Sequence, residues 1–289
     1  MRSRRTLTAA LTLAGALTGA AACRGSGGPA GAVSFDPAVV HLGYPDHAVA
    51  RLAWRPARAL DRMHGKPVVF LHLLRQDKND KSLVRTFDHA LPDPWLPGRQ
   101  QAYDVDLYQS ALAEPLPPGR HVLSLGLYDD SWGYRWLLAA GGLEVGRREY
   151  QVATVDVTGP DPSAPRFSFS GEWLEPEAVP TRQVLARRCL RGPATLSVED
   201  IRAGGSLRLL WTVADPRGPA IGLATTCAVG RSQILGTGNT WVSVRIQPDA
   251  AGGSCQIRID PSGQPSSEAS PGLAAACLDV LAWRSDTAR

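Results

Sequence analysis

Trp132, Tyr134 and Trp136 stand at i, i+2 and i+4. On a β-strand that spacing sets three aromatic rings on one face, about 6.6 Å between successive members. Such a row can serve as a platform on which sugar rings stack, because aromatic faces are large, apolar and cheap to order. Its plainer use is to cap a sheet edge or face a second domain. Trp241 and Arg245, four residues apart on another alternating run, offer the same choice between stacking and hydrogen bonding to a glycan and a contact inside the protein.

The residue types that carry catalysis are present but do not form a motif. His41, His47, His64, His72, His89 and His121 all precede residue 122. None has helical metal-ligand spacing or belongs to His-Glu-x-x-His. His72 lies inside an apolar strand and reads as a satisfied sandwich residue. Asp88 and His89 are adjacent and could orient each other as an acid–base pair, with no nucleophile beside them. Asp77, Asn79 and Asp80 lack the Gly and bidentate Glu of a calcium loop, and read as a solvated turn. Ser206 and Ser232 follow glycines without completing Gly-x-Ser-x-Gly. These readings give a chain without catalytic activity, metal or cofactor.

The cysteines speak to compartment. Cys23 stands alone near the start, while Cys189, Cys227, Cys255 and Cys277 lie in the second half. An even set confined to one region reads as two disulfides, for which three pairings exist. The favoured one joins Cys189 to Cys277, the first and last strands, with Cys227–Cys255 inside. A four-thiolate zinc site is the rival and lacks Cys-x-x-Cys spacing.

The elements that must position these residues are short strands. Pro (23) and Gly (29) break the chain often, and no apolar helical pattern follows the first 22 residues. Ala48, Ala50, Leu52 and Trp54 alternate with Val49, Arg51, Ala53 and Arg55; Leu123, Leu125 and Leu127 share a face opposite Ser124, Gly126 and Tyr128; Leu207, Leu209, Trp211 and Val213, then Val242, Val244 and Ile246, also alternate. The expected fold is all-β: two antiparallel β-sandwiches over residues 33–158 (Ig-like) and 166–284 (jelly-roll-like). The Pro-rich linker 159–165 joins them and 285–289 form a tail. The net charge of +4 includes Arg2, Arg4 and Arg5; without them the chain is near neutral, which excludes the electrostatic footprint of a nucleic-acid binder.

The N-terminus reads as an export signal over residues 1–22, with a basic Met1–Arg5 and an apolar Thr6–Gly19 too short to span a bilayer. Ala20-Ala21-Ala22 before Cys23 resembles a bacterial lipoprotein signal. That resemblance implies a diacylglyceryl group on Cys23 and cleavage before it; the family's usual Leu is replaced by Ala20, so plain cleavage at Ala-x-Ala stays open. Arg24, by resemblance to Gram-negative sorting rules, implies the outer membrane. Ser3-Arg4-Arg5 resembles a twin-arginine motif. Residues 23–32 form a flexible tether after the lipid-bearing Cys.

Val69-Phe70-Leu71-His72-Leu73, Asp88-His89, Trp95-Leu96-Pro97-Gly98, Leu116-Pro117-Pro118-Gly119, Gly126-Leu127-Tyr128-Asp129 and Gly133-Tyr134-Arg135 resemble, in this order, a β-sandwich module of bacterial extracytoplasmic proteins. The module also occurs in soluble parts of membrane-embedded glycosyltransferases. Where that module has a Gly turn this chain has Asp77-Lys78-Asn79-Asp80. Phe169-Ser170-Gly171-Glu172-Trp173 and Glu175-Pro176-Glu177 resemble the domain that often follows, without its Arg-Trp. The resemblance implies a fold and an envelope setting, and no catalytic residues. The resulting expectation is a lipid-anchored envelope protein that binds glycan at Trp132, Tyr134, Trp136, Trp241 and Arg245. The alternatives are an assembly lipoprotein that binds a protein partner, or a glycan hydrolase built from distant carboxylates.

Overall fold

The computed structural model describes residues 28–77, 80–179, 181, 183–213, 221–226, 233–235, 238–247, 253–261 and 276–286. The export signal, Cys23, Cys227, Asn79 and Ser232 lie outside them. The first lobe contains β1 (Gly31–Asp36), β2 (Val39–Tyr44), β3 (His47–Pro56), β4 (Pro67–Asp77), β5 (Asp80–Thr86), β6 (His89–Ala90), β7 (Gln101–Tyr108), β8 (Gly119–Asp129), β9 (Ala139–Ala140), β10 (Glu144–Gly146) and β11 (Glu149–Pro160). The second contains β12 (Arg166–Trp173), β13 (Glu177–Ala178), β14 (Ala186–Glu199), β15 (Gly205–Val213), β16 (Ile221–Thr225), β17 (Gln233–Leu235), β18 (Gly238–Ile246), β19 (Cys255–Pro261) and β20 (Ala276–Ser285).

The first lobe is a sandwich of a sheet ordered β7-β3-β1-β9 and one ordered β10-β11-β8-β4-β5, with β2 on β11 and β6 on β4. Period-2 alternation builds it. Ala48, Ala50, Leu52 and Trp54 of β3 point inward from one sheet; Val69, Leu71 and Leu73 of β4 and Leu123, Leu125 and Leu127 of β8 point inward from the other. The outward row of β3 is Val49, Arg51, Ala53 and Arg55, which meets water.

In the second lobe the strands run β17-β16-β19-β14-β20-β15-β18, and β12 also pairs with β14. The long β14 makes this path a sandwich. Its residues Arg188–Leu190 pair with β20, while Ala194–Val198 pair with β19. Gly192-Pro193 separates the two stretches; Pro has no N–H for the ladder and Gly permits the bend. Gly171, at φ 88° opposite Ala194, completes the crossing, since a Cβ there would meet the Pro193 carbonyl at 2.8 Å. The two arms close on Leu190, Leu196, Val198, Leu207, Leu209, Trp211, Ile257 and Leu278.

In the arm β20-β15-β18, β20 and the middle of β15 are buried on both faces. Leu209, Trp211 and Leu278 face its own core, whereas Leu210, Val280 and Ala282 belong to the core of the first lobe. This explains the unbroken apolar run Val280-Leu281-Ala282-Trp283. Backbone bonds join the lobes here: Ala111 N–H donates to Leu281 O (2.7 Å), and Trp283 N–H to Pro45 O (3.1 Å).

Candidate functional site

The aromatic triad does not form the expected platform. Residues 130–134 leave β8 as a turn, and only Arg135 returns to an isolated bridge with Tyr128. The cause is Asp129. Its Oδ1 accepts the N–H groups of Ser131 and Trp132 (both 3.0 Å) and its Oδ2 those of His64 and Gly65 (both 2.8 Å). Gly133 at φ 65° then reverses the chain, so the period-2 relation is lost. Trp136 is fully buried and donates its indole N–H to Asp61 O at 2.8 Å. Tyr134, half-buried, meets it edge-on at 5.7 Å. Trp132 is 72% exposed and stacks on His64 at 3.9 Å.

Trp241 and Arg245 do share a face of β18, but they do not act together. Arg245 is exposed and ion-paired with Asp286 (2.8 Å). The guanidinium beside Trp241 is that of Arg208, 5.2 Å from the ring centroid. Trp241 packs edge-on against Tyr108 of the first lobe at 5.4 Å.

That packing marks a cleft of about 400 Å³ between the edge strands β7 and β18, lined by Tyr103, Asp104, Asp106 and Tyr108 on one side and Asn239 and Trp241 on the other, with His89 and Gln183 at its ends. Three larger hollows lie elsewhere among the described residues, two of about 580 Å³ and one of about 430 Å³ beside Tyr44 and Ala111–Glu114. The first, between Val33–Phe35 and Gly141–Leu143, is walled mostly by backbone and small side chains. In the second, Trp283 is buried in the second core and Arg284 donates to His47 O. Of these hollows it is the cleft that combines several aromatic edges with both amide and carboxylate groups.

Its walls are fixed by charge and hydrogen bonds. Arg208 forks onto Asp106 (Nε to Oδ1 2.8 Å, Nη2 to Oδ2 2.7 Å) and reaches Ser243 Oγ with Nη1 (2.7 Å). Tyr108 donates its hydroxyl to Gln183 O (2.9 Å), and Gln183 donates its side-chain amide to Asp88 O (2.8 Å). Burial pushes the Tyr108 hydroxyl up to about 12 and raises that of Tyr103, so both stay protonated donors.

His89 has its tautomer set by its neighbours. Nδ1 faces Phe87 O at 2.9 Å, an acceptor only, so it carries the proton; Nε2 then accepts from Tyr103 OH at 2.9 Å. Burial lowers its pKa, and it is a neutral wall rather than a partner of Asp88. Asp88 turns away to accept Leu71 N–H (3.0 Å) and to face His72 Nε2 at 3.6 Å. The Asp88–His89 acid–base pair is therefore not formed, because Leu71 N–H and Phe87 O hold the two side chains to separate partners.

Asn239 is held from behind. Between Leu210 and Trp211 the β15–β20 register shifts, which leaves Asp279 as the extra residue of a β-bulge. Thr212 Oγ1 lies within hydrogen-bonding distance of both Asp279 Oδ2 and Asn239 Oδ1, the latter at 2.8 Å. Burial raises the pKa of Asp279 against the hydrogen bond from Thr212, and Thr212 ties this bulge to the Asn239 side chain at the cleft wall.

Two other polar groupings bring together residue types that could do chemistry. On the outer face of the larger sheet, His72 Nδ1 meets Glu149 Oε1 (3.1 Å), Ser124 Oγ donates to the same oxygen (2.6 Å) and Arg135 reaches Oε2 (3.3 Å). Burial disfavours the charge on His72, but hydrogen bonds to Asp88 and Glu149 and their charges overcome it and raise its pKa to about 9. An imidazolium that bridges two carboxylates is a clamp, not a base. Ser206 Oγ stands 3.4 Å from His47 Nε2, yet His47 Nδ1 has no orienting partner. Burial, aided by Arg208 and Arg284 against the pull of Asp106, drops His47 to about 4, which makes it a poor base. Among the described residues no group of three or more His, Cys, Asp or Glu could hold a metal.

Cys189 and Cys277 are bonded, directly opposite each other on β14 and β20. Cys255 is disulfide-bonded as well, and Cys227, its expected partner, lies outside the described residues. Disulfides of this kind belong to oxidising compartments.

No family model and no curated protein matches the chain. Solved structures similar to it include the secreted serine protease VesC from Vibrio cholerae, 8% identical at TM-score 0.27, covering 88% of this chain and 51% of that one. An exo-β-1,3-galactanase from Phanerochaete chrysosporium is 13% identical at TM-score 0.28, over 88% and 56%. A β-glucuronidase from Bacteroides uniformis is 10% identical at TM-score 0.28, over 88% and 30%. The chain thus spans about half the length of the first of these. Similarities this low carry no argument about fold or activity.

Proposed function

We propose that this chain is an exported, non-catalytic envelope lipoprotein, anchored through Cys23, that binds a glycan segment in the cleft between its lobes. The observation that carries the reading is the cleft's composition. Tyr103 and Trp241 supply half-buried ring surface over the buried Tyr108, and the Asn239 amide, the Asp104 carboxylate (paired with Arg51 at 2.9 Å) and the Gln183 side chain supply planar hydrogen-bonding groups around it. Sugars present that alternation of C–H faces and hydroxyl edges, and concave sites with few polar groups among aromatics suit small ligand segments. The disulfide supports export. The arrangements of His47, His72 and His89, each held as a weak base or a clamped cation, support a binding role over catalysis.

The test is titration of the mature protein with the producing organism's envelope polysaccharides, followed by tryptophan emission, with Asn239→Ala and Tyr103→Phe as variants. Saturable binding weakened about tenfold by Asn239→Ala, the loss of roughly one hydrogen bond, supports the reading. Folded protein that binds no fraction overturns it. The edge strands β7 and β18 that flank the cleft favour an extended segment of a protein partner as the second reading.

A further inference from the structure

We infer that the end of the first lobe from which the described chain starts rests against the lipid surface, with Trp132 as its interfacial anchor. The inference rests on the reading of Cys23 as the lipid-bearing residue. Gly28 is fixed at this end, its carbonyl accepting from Arg58 Nε at 3.1 Å, and Ala30 N–H donates to Leu137 O at 2.7 Å. From Cys23 to Gly28 an extended chain reaches at most about 18 Å. A lipid on Cys23 therefore holds this pole within about 18 Å of the headgroups.

The strand ends agree with that placement. β1 starts here, β3 ends here, β4 and β7 start here, and β8 ends here, as the pairings Gly31↔Pro56, Trp54↔Gln101 and Pro67↔Asp129 require. The opposite end carries His47, Tyr108 and Ser110, where the second lobe docks. The ten residues of β3 separate the two ends by about 33 Å. With the first pole on the bilayer, the Trp241–Tyr108 end of the cleft stands off the surface, open to polymer in the envelope.

The surface of the pole suits an interface. Trp132, Met63 and Leu96 are 72%, 51% and 44% exposed, and all three lie on its loops. Trp132 is not a loose side chain: it is stacked on His64, and Asp129 binds the backbone of both loops, so the indole is presented at fixed geometry. An exposed, pre-ordered indole belongs at the headgroup level, where its apolar body and N–H both find partners. Charge does not drive the contact. Arg58 is paired with Asp61 (2.9 Å), Arg62 sits over Tyr134 (5.4 Å), and Asp93 and Asp130 offset Lys66 and Arg99. Neutral lipid therefore suffices.

The experiment couples the mature chain, through the Cys23 thiol, to a maleimide lipid in phosphatidylcholine vesicles with brominated acyl chains. Bromine quenches indoles at the bilayer interface. The expected result is a loss of emission relative to unbrominated vesicles that disappears in Trp132→Phe and is unchanged by added anionic lipid. Coupled protein that shows no quenching, or equal quenching in folded Trp132→Phe, overturns the orientation. Chemical coupling makes this readout independent of acylation in the cell. The mass of the protein extracted from cell membranes tests the anchor itself; an unacylated Cys23 removes the force that holds the pole in place and overturns the inference by that separate route.

Discussion

Replacing His72 by Gln removes the cation that keeps Glu149 buried and ionised on the outer face of the larger sheet. His72 stands 3.1 Å from Glu149 and 3.6 Å from Asp88, with its side chain 15% exposed. Its pKa of about 9 compares with 6.5 when free. A group whose pKa is raised by folding adds stability that is complete below its unfolded pKa and is lost as pH rises through the folded one. Here the loss runs from about pH 6.5 to about pH 9, and at about 1.4 kcal/mol for each tenfold change it totals about 3 kcal/mol. Glu149 gives the acid limb. Burial alone would raise it, but His72, Ser124 and Arg135 hold it at about 2 against 4.5, so its share is present above pH 4.5 and lost as pH falls towards 2. The two limbs describe one contact and are not added.

Urea unfolding between pH 5 and pH 9.5 measures this directly. The native protein should be most stable between about pH 4.5 and 6.5 as far as this pair is concerned, then lose stability towards pH 9. His72→Gln should be weaker by about 3 kcal/mol at pH 6 and should lack that alkaline slope, so that the two curves converge above pH 9. Parallel curves for the two proteins from pH 6.5 to 9 would show that His72 is not an imidazolium in the fold, and the clamp argument would be wrong.

Asp106→Ala leaves the Arg208 guanidinium unpaired between the lobes, and should cost about 2–3 kcal/mol in urea unfolding and speed cleavage by added protease in the stretch 159–165. Ala at both Cys189 and Cys277 opens a loop of 88 residues and should cost about 4 kcal/mol in urea unfolding, while reduction of the native protein, which also opens the disulfide at Cys255, should cost more. Asp279→Asn keeps the bond to Thr212 without a charge to desolvate, so at pH 8 it should unfold at the same or higher urea than the native protein; a lower midpoint would show that burial does not disfavour the Asp279 carboxylate. Trp54→Ala empties a fully buried site and should cost about 4 kcal/mol in the first lobe.

The alternating runs were legible because their inward rows each face a core: Ala48 to Trp54, Leu123 to Leu127 and Leu207 to Val213 all do so as their spacing says. Cys189–Cys277 was legible from the even number of cysteines in one region. The bend in β14 also left a signal, since Gly-Pro within a strand pattern interrupts a ladder. Other features depend on partners far away in the chain. Asp106 and Arg208 are 102 residues apart, and nothing local in either strand marks the fork. Both faces of β20 are covered, and its only sign was an apolar run without alternation.

The two surfaces to which roles are assigned lie where alternation fails, and the failures have a common form. At Asp129 a carboxylate takes four backbone N–H groups, two of them from His64 and Gly65, and so turns what reads as a strand into a turn that presents Trp132. At Asp279 one inserted residue turns a carboxyl group towards Thr212 and, through it, ties Asn239 to the cleft wall. In both places a buried acid replaces a regular ladder by a fixed irregularity. Regular strands hold the lobes together through their inward rows; a directed side chain at the surface needs a break in the period. Candidate sites in a sandwich of this kind are therefore better sought at acids that sit next to a register shift or a left-handed glycine than at evenly spaced aromatic rings.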